Sequence, residues 1–405
     1  MSCTVMMIWF SILMGFVFDG TFTNSFIYPG GLHGYNVSNW LISQIGMPGV
    51  GLLLLVTAIL FCVYLSRETM QSVRKTLHPQ FKRKEPTTTD IPETNEESDS
   101  FINYITGKNG VLEKWFRCGA SGVRLDVADE LPDKFIDELS KSVKGLNDDY
   151  FIIGEVWEDA TNKISHGGRR RYLLGNQLDR VMNYPFASAI ITFMRYGVAE
   201  SFMESIVSIC ENYPPQALNC LMNHIGTHDT ARILTKLVND SIEHKPRHIQ
   251  AQYHLTEEEY EKAKRLLKTA TVLQYTLPGF PSIYYGDEAG VQGGADPFNR
   301  SFFPWGKEDN DLVEWYRKLG DIRKSLNCLK EGKFIPYSAM LSCVAYIRRS
   351  EEDKILVIAN KNYHDIDYNL PEEFRFSEDL ISGKVSDYSI NVPAYGAVIL
   401  KTKSN

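Results

Sequence analysis

The sequence predicts an α/β protein: a parallel sheet with crossover helices, followed by a small antiparallel β domain and preceded by a transmembrane helical hairpin. Three observations predict it. First, acidic residues close short apolar, strand-like runs, in Ser121-Gly-Val-Arg-Leu-Asp126, Phe151-Ile-Ile-Gly-Glu155 and Met222-Asn-His-Ile-Gly-Thr-His-Asp229. About 30 residues separate the first two, the length of one strand–helix–strand unit. Carboxylates repeated at the carboxyl ends of parallel strands mark an α/β barrel active site. Second, helical patterns (residues 132–143, 186–213, 257–275 and 311–325) alternate with strand patterns ending at Asp126, Trp157, Tyr184, Asp229 and Asp287. That alternation belongs to a parallel sheet. Third, residues 1–18 and 48–65 carry no charge, and each run is close to the ~18–20 residues a helix needs to cross a bilayer.

Taken in order, the first apolar run lacks both a positive start and a small-x-small cleavage site, so it reads as a membrane helix rather than a signal peptide. The basic residues Arg67, Arg74, Lys75, Lys82, Arg83 and Lys84 place the carboxyl side of the second helix in the cytoplasm. The hairpin (residues 1–66) then puts the loop 19–46 outside, with Trp40 near the interface. The location implied is the cell inner membrane, multi-pass, with membrane lipid as a partner and the soluble part cytoplasmic. Residues 67–100 turn basic, then acidic and polar, without apolar periodicity, and read as a flexible linker. Globular sequence occupies 101–331. After about residue 332 the helical period gives way to β-rich runs, Ser342-Cys-Val-Ala-Tyr-Ile-Arg348, Ile355-Leu-Val-Ile-Ala359 and Ala397-Val-Ile-Leu-Lys401, which predict a β-sandwich domain over 332–405.

Composition narrows the class. With 43% hydrophobic and 23% charged residues the chain is of globular type, and a net charge of −7 excludes a nucleic-acid surface on the soluble part. The seven cysteines are irregularly spaced with no CxxC pair, so neither a zinc site nor a redox dithiol is expected; free thiols in a reducing compartment are. No metal and no cofactor are expected. Thr106-Gly-Lys108 lacks the upstream glycine of a phosphate loop, and Arg169-Arg-Arg171 reads as a solvated helix face. Tyr284 and Tyr285 read as barrel packing, and Asp287 and Glu288 as structural or subsite-lining.

The chemistry rests on the acids. Arg124 precedes Asp126 by two residues, so both project to one face of a strand. A guanidinium there keeps Asp126 ionised, as a nucleophile requires. Glu155, between Phe151-Ile-Ile and Trp157, stands in surroundings expected to raise its pKa for general-acid work. His228 beside Asp229 offers hydrogen bonds to sugar hydroxyls.

Gly122-Val-Arg-Leu-Asp126-Val-Ala-Asp-Glu-Leu-Pro132, Gly154-Glu155-Val-Trp-Glu158 and Gly226-Thr-His-Asp229-Thr resemble the second, third and fourth signature regions of glycoside hydrolase family 13, the α-amylases. The stretch from Pro278 to Gly290, with Gly293-Gly-Ala-Asp-Pro297 and Arg300, resembles the last barrel strand and following loop of the neopullulanase and cyclomaltodextrinase branch. The resemblance covers about residues 101–405 and implies an incomplete TIM-type (β/α) barrel, strands four to eight. It implies that Asp126 is the nucleophile, Glu155 the acid/base and Asp229 the transition-state stabiliser, supported by Arg124 and His228. The reaction implied is retaining hydrolysis of α-1,4 and α-1,6 glucosidic bonds, with the two carboxyls ~5–6 Å apart. Maltodextrins, cyclodextrins and pullulan are the substrates implied, with self-association into an oligomer a further expectation. The family's first three strands and first signature have no counterpart, which implies impaired activity. Residues 1–98, through His33-Gly-Tyr-Asn-Val-Ser-Asn-Trp-Leu-Ile-Ser-Gln-Ile-Gly46, resemble the last two membrane helices and linker of the FtsK/SpoIIIE DNA translocase. The competing reading is therefore a membrane-anchored, non-catalytic remnant or fusion protein.

Overall fold

Five short parallel strands run in series through the computed structural model, which describes residues 9–14, 16, 31–65, 95–165 and 167–402. The chain divides into two compact units, Met1–Pro92 and Glu93–Asn405. In the first, helix α1 (Gly31–Leu65) is interrupted at Gly46, whose φ is 73°, and carries Pro48 just beyond. The stretch Asn36–Ala58, 23 residues with mean hydropathy 1.8, is long and apolar enough to cross a membrane. Residues 31–45 were expected in an outer loop; they are helical, with Val37, Leu41 and Ile45 recurring at four-residue spacing. Trp9 Nε1 donates to Thr57 Oγ1 at 2.8 Å, so the described parts of the two apolar runs touch. Most of the first run, and most of the linker, lie outside the described residues.

The second unit begins earlier than the sequence suggested. Helix α2 (Asn95–Thr106) takes up the end of the expected linker. Tertiary contacts supply what periodicity did not show: Phe101 stacks on Phe135 at 6.2 Å, and Asp99 pairs with Lys134. Helix α3 (Val111–Arg117) buries Leu112 and Phe116, the latter stacked on Tyr150 at 4.3 Å. It leads into β1 (Gly122–Leu125). Helix α4 (Asp133–Leu146) buries Ile136, Leu139 and Val143, one helical stripe. It returns the chain to β2 (Phe151–Gly154), parallel to β1 in the register Gly122 to Phe151. Then follow β3 (Arg180–Val181), β4 (Met222–Asn223) and β5 (Phe280–Pro281). β2 pairs with β3, a Met182–Met222 bridge joins β3 to β4, and β4 pairs with β5, all parallel.

The strands are shorter than their patterns. Asp229 lies in a turn beyond β4, Asp287 opens a short 3-10 helix beyond β5, and Tyr184 opens a helix instead of ending a strand. The single helix expected over 186–213 is two, α5 (Tyr184–Tyr196) and α6 (Ala199–Asn212). They are separated by Gly197, whose φ of 72° closes α5 with an N–H to Phe193 O bond of 2.8 Å. A left-handed cap of this kind favours glycine. Arg169-Arg-Arg171 is not on a helix. Arg169 ends a two-strand hairpin, Arg170 is buried and donates to Leu131 O at 2.6 Å, and Arg171 pairs with Asp137 at 2.9 Å.

Past β4 the chain forms the short helix α7 (Ile233–Val238) and then the long helix α8 (Glu257–Thr276), which opens with a capping box between Thr256 and Glu259. α9 (Asn310–Ser325) follows β5. Strands β6 (Lys333–Met340), β7 (Cys343–Arg349), β8 (Lys354–Asn360), β9 (Ile366–Asn369), β10 (Glu378–Asp379), β11 (Ser389–Val392) and β12 (Ala397–Lys401) close the chain. They form an antiparallel sheet in the order β10-β12-β8-β7-β6 and a β9-β11 pair. Alternation divides the sheet's side chains. Val344, Tyr346, Val357 and Ile399 join the core shared with the helices, while Ala345, Ile347, Leu356 and Leu400 pack with Phe374 and Val392. Because the first face is buried on the helices, residues 101–331 and 332–405 share a core within the unit Glu93–Asn405. Arg348, wholly buried, ties them, donating to Thr276 O at 2.6 Å and Gly332 O at 2.8 Å.

Candidate active site

The carboxyl ends of β1 and β2 bring Arg124, Asp126 and Glu155 together. The two strands are adjacent and in register, so residues just past their ends become neighbours. The Arg124 guanidinium bridges both acids: Nη1 to Asp126, Nη2 to Glu155 at 2.9 Å. Asp126 is open to solvent, its side chain 74% exposed, whereas the Glu155 side chain is 6% exposed. The apolar wall expected around Glu155 is instead a ring of donors. Besides Arg124, its carboxylate accepts from Val127 N at 2.9 Å, Trp157 Nε1 at 3.2 Å and the Tyr184 hydroxyl at 3.3 Å. Val127 is held at φ 43°, a strained setting for a β-branched residue. Its N–H bond to Glu155 is one of the contacts that hold it there.

The third acid comes from the turn after β4. The Asp229 carboxylate lies 3.2 Å from His228 Nε2 and 3.9 Å from Arg300 Nη2. The wholly buried Asn299 pins this turn by donating to His228 O and Thr230 O at 2.7 and 2.8 Å. Gly226 is required by close approach, since a Cβ there would run into the Asp287 carboxylate. Tyr184 links the two acid-bearing regions. Burial, and then the neighbouring Glu155 and Asp229 charges, push its phenol up, so its proton stays available for donation.

Of the five residues singled out in the sequence, Arg124, Asp126 and Glu155 lie at adjacent strand ends and His228 and Asp229 in the turn beyond β4, while Tyr184 and Asn299 were not anticipated. Asn183-Tyr184 directly after a strand is the signal that was available for the first. Asn299 had none, because its role is to hold a turn 69 residues earlier. Tyr284 and Tyr285 pack around Arg232, whose guanidinium carbon lies 4.2 and 4.7 Å from their ring centres. Among the described residues no group of His, Cys, Asp and Glu is placed to hold a metal ion. Cys118, Cys210, Cys220, Cys328 and Cys343 are free.

Beside Glu155 a cavity of about 370 Å³ is lined by Trp157, Tyr184, His224, Ile225 and Lys236. Trp157 and Tyr184 stack at 4.2 Å, and the His224 ring meets Tyr184 edge-on at 4.4 Å. His224 is 3% exposed with Nε2 unpartnered, and burial holds its pKa down at about 4. A depressed imidazole makes the folded state less ready to take a proton than the unfolded one. Its stabilising effect is therefore whole above the unfolded pKa of 6.5 and is lost as pH falls toward 4. The loss should reach ~3 kcal/mol. His224→Phe should flatten this acid limb, as urea unfolding at neutral and acid pH will show; an unchanged limb would assign it to other groups.

This arrangement of acids at parallel strand ends places the chain in a family of glycosidic enzymes: it belongs to the alpha-amylase catalytic-domain family, whose pattern (Alpha amylase, catalytic domain) matches residues 86–315. It is similar to a cyclomaltodextrinase of a Bacillus species, 33% identical over 279 residues, covering 67% of this chain and 44% of that one. Neopullulanase 2 of Thermoactinomyces vulgaris is 31% identical over 276 residues, covering 67% and 41%. The solved type III pullulan hydrolase of Thermococcus kodakarensis superposes with a TM-score of 0.61 at 26% identity, covering 76% and 49%. The solved structures it resembles are TIM-barrel enzymes with a C-terminal β domain. The chain spans about half the length of these relatives, or less.

Proposed function

We propose that the second unit carries the acid-bearing part of a retaining α-glucan hydrolase, within an incomplete barrel whose β1–β5 correspond to strands four to eight. The observation that carries this reading is the Arg124 bridge, which holds an exposed and a buried carboxylate together at adjacent strand ends. The Asp126 carboxylate attacks the anomeric carbon while Glu155 gives its proton to the departing glycosidic oxygen, leaving a glycosyl ester on Asp126. Glu155, now a carboxylate, takes a proton from water, which attacks the same carbon and frees Asp126 with net retention. Arg124 and the donor ring orient both acids. Asp229 and His228 face the sugar hydroxyls and steady the distorted ring. The bonds cleaved are α-1,4 and α-1,6 links in maltodextrins, cyclodextrins and pullulan; the names of the similar cyclomaltodextrinase, neopullulanase and pullulan hydrolase support the last two.

The test uses an activated sugar whose leaving group needs no protonation. Because the trapped ester accumulates even when its formation is slow, prolonged incubation with a 5-fluoro-α-glucosyl fluoride should add one glycosyl group to Asp126, located by peptide mass. Asp126→Asn should abolish the adduct and Glu155→Gln should preserve its formation. Labelling elsewhere, or none, would sink the assignment.

We further propose that the first unit anchors the chain in the inner membrane, with the second unit cytoplasmic. The apolar stretch of α1, the Trp9–Thr57 bond and the basic residues after residue 66 support this reading, and the translocase resemblance fits it. The full chain should remain in the membrane pellet after alkaline extraction; release into the supernatant would refute anchoring.

A further inference from the structure

We infer that the two open ends of the parallel sheet, β1 and β5, form one docking surface for a separate polypeptide supplying three parallel strand–helix units. The inference rests on the incomplete-barrel reading above. A barrel of this type closes with eight strands, and five run in series here, so three are needed to join the ends. Among the described residues β1 pairs only with β2, and β5 only with β4. The bonds of Ser121 O and Leu125 O to Phe151 N and Glu155 N fix which residues of β1 face inward. Alternate residues Gly122 and Arg124 therefore turn their backbone groups to the open side. On β5, Phe280 N and Ser282 N bond to Leu221 O and Asn223 O, which leaves Pro281 facing outward. A proline there offers an acceptor and no donor, as edge strands tolerate.

Apolar side chains flank both ends. Beyond β5 stand Ile283 at 42%, Phe302 at 98% and Trp305 at 82% exposure. Tyr285 fastens their loop to the strand end through its hydroxyl bond to Ser301 O at 2.8 Å. At the β1 end stand Trp115, 64% exposed, and Val127, 47% exposed. Large exposed apolar groups next in sequence to an open strand mark interaction sites. Both ends must be met by parallel strands running in the same sense, which selects the kind of partner. An unrelated helical protein does not satisfy either edge, and a second copy would make ten strands where a barrel of this type has eight. The partner chemistry is therefore the portion of an alpha-amylase domain that is not found among the described residues. The similar enzymes are long enough to contain it, since the chain spans 44% of the Bacillus cyclomaltodextrinase.

The experiment uses the full chain in detergent and, as probe, the part of that Bacillus enzyme preceding its matched stretch, fused to a solubilising carrier. Affinity capture of the carrier should retain the full chain at one-to-one stoichiometry. Amide exchange at Gly122 and Arg124 should slow at least ~10-fold in the complex, as pairing of an open strand requires. Phe302→Glu with Trp305→Glu should weaken capture at least ~10-fold without changing the chain's own unfolding midpoint, because exposed positions tolerate substitution. No capture by the soluble fusion, capture indifferent to the double substitution, or a homodimer protecting the same amides would overturn the inference. Hydrolysis of cyclodextrin is read separately: a complex that forms but is inert contradicts the proposed function and leaves the docking surface standing.

Discussion

On its own, the 405-residue chain is expected to hydrolyse maltodextrin or cyclodextrin at least ~10³-fold more slowly than the ~10 per second of an ordinary enzyme. The acids are all present, and Arg124 holds two of them. What is absent among the described residues is any strand joining β5 to β1. Parallel sheets are normally buried on both faces and at both ends, so one with open edges holds its strand-end side chains loosely and tends to aggregate. Misplacement by about 1 Å costs ~10²-fold in rate, and an open substrate cleft adds water and removes contacts to the sugar. The open edges thus favour a non-catalytic state for the isolated chain, while the acid geometry favours glycosidic chemistry for the closed assembly. Reducing-sugar release measured on the purified chain decides it, and turnover near ~10 per second by the chain alone would refute the expectation.

Replacing Arg232 with Ala is expected to cost ~3–5 kcal/mol of stability, the loss seen when one partner of a buried ion pair is removed. Arg232 is fully buried, pairs with Asp287 at 3.1 Å, donates to Tyr285 O and lies between the Tyr284 and Tyr285 rings. Burial pushes the Asp287 carboxyl up to about 7, and Arg232 is the main influence pulling it back. An acid whose folded pKa is raised stabilises the fold only while protonated, and that contribution is lost as pH rises through the folded value. The deficit of Arg232→Ala should therefore be larger at pH 8 than at pH 5. Adding Asp287→Asn should restore part of the stability by removing the stranded charge. Denaturant midpoints at the two pH values check both points; a loss below ~1 kcal/mol at pH 8 would show that the pair is not what holds this turn. The site should suffer too, because the same turn leads into the loop that carries Arg300 toward Asp229.

The parts of the fold legible in the sequence were those written in local periodicity. α4, α8 and α9 show one apolar stripe each, and β7, β8 and β12 show dense β-branched runs, so their positions followed from side-chain direction alone. The misread parts depended on distant partners. The first half of α2 looked like linker because residues 95–100 carry no apolar group, and only Asp99 pairing with Lys134 and Phe101 stacking on Phe135 tie that turn down. The break between α5 and α6 needed Gly197, which the pattern ran through. Arg170 looked solvated because nothing local announces that Leu131 O will accept from it.

For the site, the sequence by itself determined which acids stand at strand ends and that Arg124 shares a face with Asp126. Those facts follow from a two-residue period and from the placement of charge after apolar runs. Only the tertiary structure decided that one guanidinium serves both Asp126 and Glu155, that Tyr184 and Asn299 belong to the site, and that Glu155 sits among donors rather than apolar walls. Each of these depends on strand register and on turns meeting across 28 to 71 residues of chain. Hydrogen-bond partners at that range are selected by packing, which no local pattern encodes.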